Sequence, residues 1–416
     1  MNTLVDLPSA TDVAIIGGGM VGLSFALLLA RRAATLRIHL IEAFPFGAAP
    51  QAQVSSQDFD ARSTALSESS RRIFAALDLW GDIARQASAI ETIHVSDRGH
   101  PGVTRLEARE AGLATLGHVV ENRHLGRTLM AALEQVDNIT VTAPARVDRL
   151  RAVAGGMELH VGERRCQAQL AVVADGADSA LLQQMGIHTA CRDYGQAALI
   201  ANVALAQPHG GVAYERFTEQ GPLALLPLPD AAGEHRAALV WTLPPERAAQ
   251  LAEVNDAEFL DALHGRFGFR AGRFLRCGAR ATYPLRLLWA QEQVRTGLAV
   301  AGNAAHLLHP VAGQGFNLAL RDVARLADVL GSALRGAEPI GSLRVLERYV
   351  AAQAADQRNT IAFSHSLPKA FAMRNPASVA VRNAGLIALD LFGPARREFA
   401  RFGAGLAAPA VSAYER

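Results

Sequence analysis

Cysteine is scarce: Cys166, Cys191 and Cys277 are the only three in 416 residues, widely separated, with neither a CxxC nor a histidine at metal spacing. That pattern excludes a disulfide framework and a cysteine zinc site, and it fits reduced thiols in a cytoplasmic protein. An excess of either charge is lacking too. With 41 Lys and Arg against 39 Asp and Glu, a net charge of +2 and no concentrated basic block, nothing calls for a nucleic acid partner. Repeats and low-complexity segments are absent. One stretch reaches the length of a membrane span, the uncharged run Val13 to Ala30. Consecutive glycines interrupt it, Asp12 and Arg31 close it, and no basic segment of a signal peptide precedes it, so it reads as neither span nor leader. What remains is 50% hydrophobic and 19% charged, enough chain for two or three domains with large cores.

The stretch that organises the rest is Thr11 to Glu42, which reads as strand, tight turn, helix and second strand. Val13 to Ile16 is an apolar run suited to a central parallel strand, and Gly17, Gly19 and Gly22 follow at the GxGxxG spacing that opens a helix. The first glycine permits the turn, the second lets a pyrophosphate approach the backbone, and the third lets the helix pack on the sheet. The helix N-terminus then offers free N–H groups and a positive dipole end to phosphates. Glu42 closes the second strand, Arg37 to Ile41, where it is placed to accept hydrogen bonds from a ribose diol.

Further along, Ala43 to Gln57 reads as a loop. Ser67 is placed to cap a helix carrying Ile73, Phe74, Leu77 and Trp80, with Asp60 and Arg62 just before it. On spacing alone Arg62 is a solvated loop charge as readily as a ligand. Ile90 to Ser96 and Thr115 to Glu121 are strand-like, and Asn122 stands where the latter passes into a helix, as a cap or as a ligand. A hairpin-like pair, Glu158 to Val161 and Arg165 to Gln169, precedes a strand ending at Asp175-Gly176, which is a turn or a ligand position. Between about 181 and 285, Gln196 to Leu205, Pro222 to Pro229 and Arg236 to Leu243 predict a mainly antiparallel sheet with a turn over Asp230 to Glu234. Then Leu298 to Ala301 is a buried strand ended by Gly302-Asn303. A loop with Pro310, Gly313, Gln314 and Gly315 leads into a helix whose N-terminus, near Phe316 and Asn317, aims N–H groups at something flat or charged. His306 and His309 lack a carboxylate or third ligand in the local sequence, so no metal is expected.

GGGMVG, VADGADS and GNAAHLLHPVAGQGFNLALRD, in that order over residues 11 to 330, resemble the para-hydroxybenzoate hydroxylase superfamily of FAD-dependent aromatic monooxygenases. FDARSTAL, VVENRHL, YGQAALIANV and YERFTEQGPLALLPL are similar to its ubiquinone-biosynthesis hydroxylases, and HVSDRGH with LFGPARREFARFG resembles the 2-polyprenyl-6-methoxyphenol hydroxylase branch. Two positions depart from the superfamily pattern: Asn303 replaces the usual Asp, as is frequent in that branch, and Gln353 stands where relatives commonly carry Arg.

The resemblance implies an α/β fold: a Rossmann-like FAD-binding domain over residues 1–180 and 286–345, an inserted antiparallel substrate domain over 181–285, and a helical C-terminus over 346–416. It implies that Gly17, Gly19, Gly22 and Glu42 hold the ADP half of FAD, that Arg62, Asn122 and Asp175 lie along the pyrophosphate and flavin stem, and that Asn303 binds the ribityl chain. Backbone at Gly315, Phe316 and Asn317 would face the pyrimidine edge of the flavin, and Pro310 would shape the oxygen site. NAD(P)H and O2 are the implied co-substrates, with NAD(P)H bound transiently, since no second GxGxxG exists. A flavin C4a-hydroperoxide would hydroxylate a polyprenyl methoxyphenol on the route to ubiquinone, with no general base identified in the sequence. A hydroxylase of another ring position or substrate, or a flavin-dependent reductase, is the alternative; the halogenase WxWxIP pattern is absent. The expected location is cytoplasmic, peripheral to an inner membrane, in contact with other ubiquinone-biosynthesis proteins. Leu386 to Leu406, apolar with Arg396, Arg397 and Arg401, reads equally as a basic amphipathic surface for such contacts and as an ordinary packed terminal helix.

Overall fold

The computed structural model of the chain describes residues 7–46 and 62–407. The elements that matter to the site are, in chain order, β1 (Ala10–Ile16), α1 (Met20–Arg32), β2 (Ile38–Ile41), β3 (Thr92–Asp97), β4 (Ile139–Thr142), β5 (Arg164–Val173), β6 (Thr189–Leu205), β7 (Val212–Thr218), β8 (Gly221–Ala231), β9 (Glu234–Leu243), β10 (Ala281–Ala290), β11 (Leu298–Val300), α2 (Gln314–Arg335), α3 (Leu343–Ala372), α4 (Pro376–Leu391) and α5 (Gly393–Gly403). Two large sheets divide them.

In the first sheet β11, β5, β1, β2 and β4 lie side by side, each parallel to its neighbour. Parallel strands covered on both faces need apolar residues throughout, and Val13, Ala14 and Ile15 are fully buried in β1. The uncharged run that resembles a membrane span is therefore this central strand together with α1, of which every residue from Gly22 to Ala30 is buried. Phe25, Leu28 and Leu29 of α1 share one core with Leu320, Val323 and Leu326 of α2. Removing each such side chain from water contributes roughly 1.5–3 kcal/mol. The expected hairpin and the strand before Asp175 share one continuous strand, β5, whose N-terminal half also pairs antiparallel with Gly156–Val161.

The second sheet runs β10, β6, β9, β8, β7 and β3 and is antiparallel except where β7 meets β3. Sheet membership does not follow a division at residue 181: β3 leaves the first part of the chain to pair with β7, Glu215 opposite Val95. The C-terminal part is helical, with a break at Phe392 that separates α4 from α5. No helix among the described residues is long and apolar enough to cross a membrane.

Candidate active site

Four parallel strands end along one edge of the first sheet, and the residues just beyond them follow in spatial order: Gly302-Asn303 after β11, Asp175 after β5, Gly17 to Gly19 after β1, and Glu42 after β2. Open parallel sheets bind ligands at this edge. Gly17 has φ +109°, and a Cβ there would lie 2.3 Å from the Ala174 carbonyl oxygen. A Cβ on Gly22 would come within 1.9 Å of the Gly17 oxygen. Gly19 is different, for a Cβ there meets nothing within 4 Å, so its missing side chain leaves open space in front of the N-terminus of α1. Close packing thus demands the first and third glycines, while the second leaves space open. Glu42 holds the turn from the next strand: its carboxylate accepts from the Gly18 N–H at 2.5 Å and from the Phe44 N–H at 2.9 Å.

Asp175 is exposed on this edge, accepts a hydrogen bond from the Ser179 hydroxyl at 2.8 Å, and has its carboxyl pKa raised by the protein packed behind it, with Ser179 opposing. Asn303 is exposed and its side chain makes no hydrogen bond to the described residues, leaving its amide oxygen free to accept one. Gly302 before it takes φ +63°. Arg62 is exposed, sits 5.7 Å from the Tyr283 ring centre, and its carbonyl accepts from the Asn122 N–H. Asn122 does not cap the following helix. It is the first helical residue, and its side-chain oxygen accepts from Thr64 at 2.6 Å, tying the start of that helix to the strand Ser63–Ser67. Ser67 does cap its helix, accepting from the Ser70 N–H. Asp60 lies outside the described residues.

A second glycine turn precedes α2. Pro310 is half-buried and starts the single turn Val311–Gly313, in which Ala312 takes the left-handed φ of +55°. Since α2 begins at Gln314, the free amides at its end are those of Gln314, Gly315 and Phe316, and Asn317 stands where intrahelical bonding begins. A Cβ on Gly315 would meet only Leu308, at 4.0 Å. The Asn317 side chain does structural work that the sequence did not announce. Buried, it accepts from the Ser67 N–H at 2.8 Å and the Ser70 hydroxyl at 2.6 Å, and it donates to the Ala65 and Gly313 carbonyls.

His306 does receive a carboxylate, from Asp322 on α2 at 2.6 Å, both fully buried, which the local sequence could not indicate. No group of three or more metal-ligating side chains occurs among the described residues. Sequence reasoning also passed over Glu215, a buried acid on β7 whose signal was an acid in the inward register of Ala213 and Phe217.

The FAD binding domain family matches residues 10–364. The chain belongs to that family. Among relatives of this FAD-binding-domain protein are the ubiquinone hydroxylase UbiL of Rhodospirillum rubrum, 33% identical over 96% of this chain and 93% of that one, and the 3-demethoxyubiquinol 3-hydroxylase of Escherichia coli, 33% identical over 95% and 99%. The p-nitrophenol 4-monooxygenase PnpA of Pseudomonas putida shares the fold, with a TM-score of 0.76 at 18% identity over 96% and 99% of the two chains. Family, fold and relatives make this an FAD-dependent monooxygenase. The residues fit the cofactor on structural grounds: open space at Gly19, a carboxylate at the end of β2, a free amide oxygen at Asn303 and unpaired amides at a second helix N-terminus.

Proposed function

We propose that this protein hydroxylates the aromatic ring of a polyprenyl methoxyphenol on the route to ubiquinone, consuming NAD(P)H and O2. The observation that carries the reading is the row of strand ends from Asn303 to Glu42 along one edge of the parallel sheet, in a chain whose relatives are named as ubiquinone hydroxylases. When bound, FAD supplies the electron store that lets one oxygen atom reach a ring carbon. The protein's part is positioning. Gly17 and Gly19 admit the pyrophosphate to the amides of α1, Glu42 accepts from the ribose, and Arg62, Asn122 and Asp175 line the stem. The Asn303 oxygen accepts from the ribityl chain. Amides at Gly315 and Phe316, with the dipole of α2, stabilise negative charge at the pyrimidine edge, while Pro310 fixes the backbone beside the ring and the sheet behind it excludes water.

A polyprenyl tail is drawn out of water by about 0.8 kcal/mol per methylene, so the substrate is met at a membrane or a lipid-binding partner. Part of the C-terminal stretch is packed. Phe399 packs into a core and Phe402 against Phe363, and Arg396 pairs with Glu110, as in an ordinary packed helix. Val381 and Leu391 on α4 and Phe392 at the break after it are 72, 80 and 61% exposed, and to these side chains we assign the peripheral contact.

The purified protein is expected to be yellow and to release intact FAD on acid precipitation, with Gly19→Val folded but colourless. A quinone-making host lacking the gene should accumulate an under-hydroxylated polyprenyl phenol, identified by mass spectrometry. A flavin-free wild type would end the reading, and accumulation of an intermediate with a complete ring would end its ubiquinone part.

A further inference from the structure

Glu215 has no place in the cofactor-binding machinery described above, yet it is a buried acid on a strand that packs against α3 and the second glycine turn. Strand β7 turns Ala213, Glu215 and Phe217 to one side, and all three are buried. Phe217 stacks on Phe371 of α3 at 3.6 Å between ring centres and shares an apolar cluster with Val311 of the second glycine turn, Val95 of β3 and Leu386 of α4. Within this surrounding the backbone N–H of Ala312, the left-handed residue two positions after Pro310, lies near enough to the Glu215 carboxyl to oppose the rise of its pKa. Its Oε1 has no solvent contact and no partner. A buried carboxyl oxygen without a partner is costly, and acids kept in that state gather at functional sites. The turn beside Glu215 leads, three residues after Ala312, into the amides of Gly315 and Phe316, which are proposed above to face the flavin.

We propose that Glu215 takes the proton from the ring hydroxyl of the substrate; this rests on the aromatic-hydroxylase reading. The O–H bond breaks, its electron pair stays on the ring oxygen and makes the ring nucleophilic, and the proton passes to Oε1. After oxygen transfer the ring carbon loses its hydrogen as a proton to solvent, and Glu215 returns its own proton to the ring oxygen. Burial raises the carboxyl to about 7, opposed by the nearby backbone N–H of Ala312. An acid raised towards neutral pH is suited to general-base work. Other titratable and charged groups on the packed elements are Asp97 on β3, held by Arg382 of α4 and by His100; His309 on the turn, lowered to about 4 by burial; His365, bonded to Tyr194, and Lys369 on α3; and Asp230 at the end of β8, bonded to His235. None of them is among the causes of the Glu215 shift.

The test uses the FAD-loaded full chain with NAD(P)H, O2 and two short-tailed methoxyphenols, one of ordinary acidity and one ring-fluorinated and ionised at pH 7. Hydroxylated product and hydrogen peroxide are measured separately. In the wild type, product formation from the ordinary phenol should rise through a limb near pH 7 that is missing with the fluorinated one. Glu215→Gln should keep its flavin absorbance and phenol affinity, lose roughly 100-fold or more in product formation from the ordinary phenol, divert its electrons to peroxide, and recover with the fluorinated phenol. Glu215→Asp should recover part of the loss. Glu215→Gln with wild-type product yield and pH profile would overturn the proposal. So would a wild-type limb identical for both phenols, a result that does not depend on any variant folding. A second readout needs no turnover: in flavin-free protein the stability difference between wild type and Glu215→Gln should change between pH 4.5 and 7, and a constant difference would remove the poised acid. A yellow wild type that hydroxylates neither phenol would instead strike the parent reading.

Discussion

The two glycine turns perform similar tasks by different means. Both lead into a helix whose first amides are free, and both face the proposed cofactor. In the turn after β1 the geometry is written into the residues themselves: Gly17 has a φ of +109°, and both Gly17 and Gly22 stand so close to backbone oxygens that a Cβ has no room. The turn before α2 is imposed from outside. Its strained residue is Ala312, an alanine at φ +55°, and its shape is held by the side chain of Asn317 reaching Ala65, Ser67 and Ser70 some 250 residues away. A left-handed alanine costs of order 1 kcal/mol and persists only where its surroundings over-determine it. A phosphate cradle thus requires glycine wherever it occurs, whereas a turn between two domains takes its conformation from both of them.

Substitutions in the first turn should have the largest effect. Gly17→Ala and Gly22→Ala put a methyl into backbone and should destabilise by about 3 kcal/mol or more in chemical denaturation, with flavin lost. Gly19→Val should leave that stability within about 0.5 kcal/mol while abolishing flavin binding, and equal behaviour at all three glycines would break the distinction among them. In the second turn Asn317→Leu leaves the Ser67 amide and the Ala65 and Gly313 carbonyls without their partner, for a loss of about 3 kcal/mol by the same measurement. A loss below 1 kcal/mol would mean that the turn holds itself.

The second turn should also respond to pH in two opposing ways. Glu215, raised in the folded state from 4.5 to about 7, contributes stability that is full below pH 4.5 and is lost as pH rises to 7, about 3 kcal/mol in all. His309, lowered from 6.5 to about 4, contributes stability that is full above pH 6.5 and is lost as pH falls towards 4. The two slopes largely cancel between pH 4.5 and 6.5. Glu215→Gln should unmask a rise of stability with pH and His309→Asn a fall, and parallel pH curves for all three proteins would remove both groups from the account. A smaller effect is expected at Asn303, where Asp should retain FAD and Leu should weaken it by roughly 1–3 kcal/mol, read as flavin dissociation constants. Smallest in the test tube is the surface of α4: replacing Val381, Leu391 and Phe392 by Ser should leave flavin spectrum and fold intact and reduce co-flotation with liposomes of Escherichia coli lipids. Unchanged flotation would dismiss the contact.

Much of the edge was legible because its requirements are local. A GxGxxG between an apolar run and a helix, with an acid twenty residues on, states its geometry within 32 residues. The glycine contacts follow that statement, with Glu42 adding a clamp on the Gly18 amide. Asn122 was less legible: the residue at a strand-to-helix junction reads as a cap, but the partner that decides its role is Thr64, 58 residues earlier. His306 read as lacking a carboxylate because Asp322 reaches it only when α2 folds back. Arg62 gave no signal beyond its spacing, and Gln353, fully buried with neither amide atom hydrogen-bonded, has no role that the structure explains.

The sequence by itself determined the parallel sheet, the glycine turn that ends its central strand and the family to which the chain belongs, because strand period, left-handed backbone and close packing are properties of neighbouring residues. Tertiary structure decided what surrounds the reaction. Only the pairing of β7 with β3, the packing of α3 and α4 over them and the arrival of the turn at Ala312 place the Glu215 carboxyl in an apolar interface. An acid's pKa is set by what is packed around it, and in this chain the groups packed around Glu215 come from segments as far apart as Val95 and Leu386.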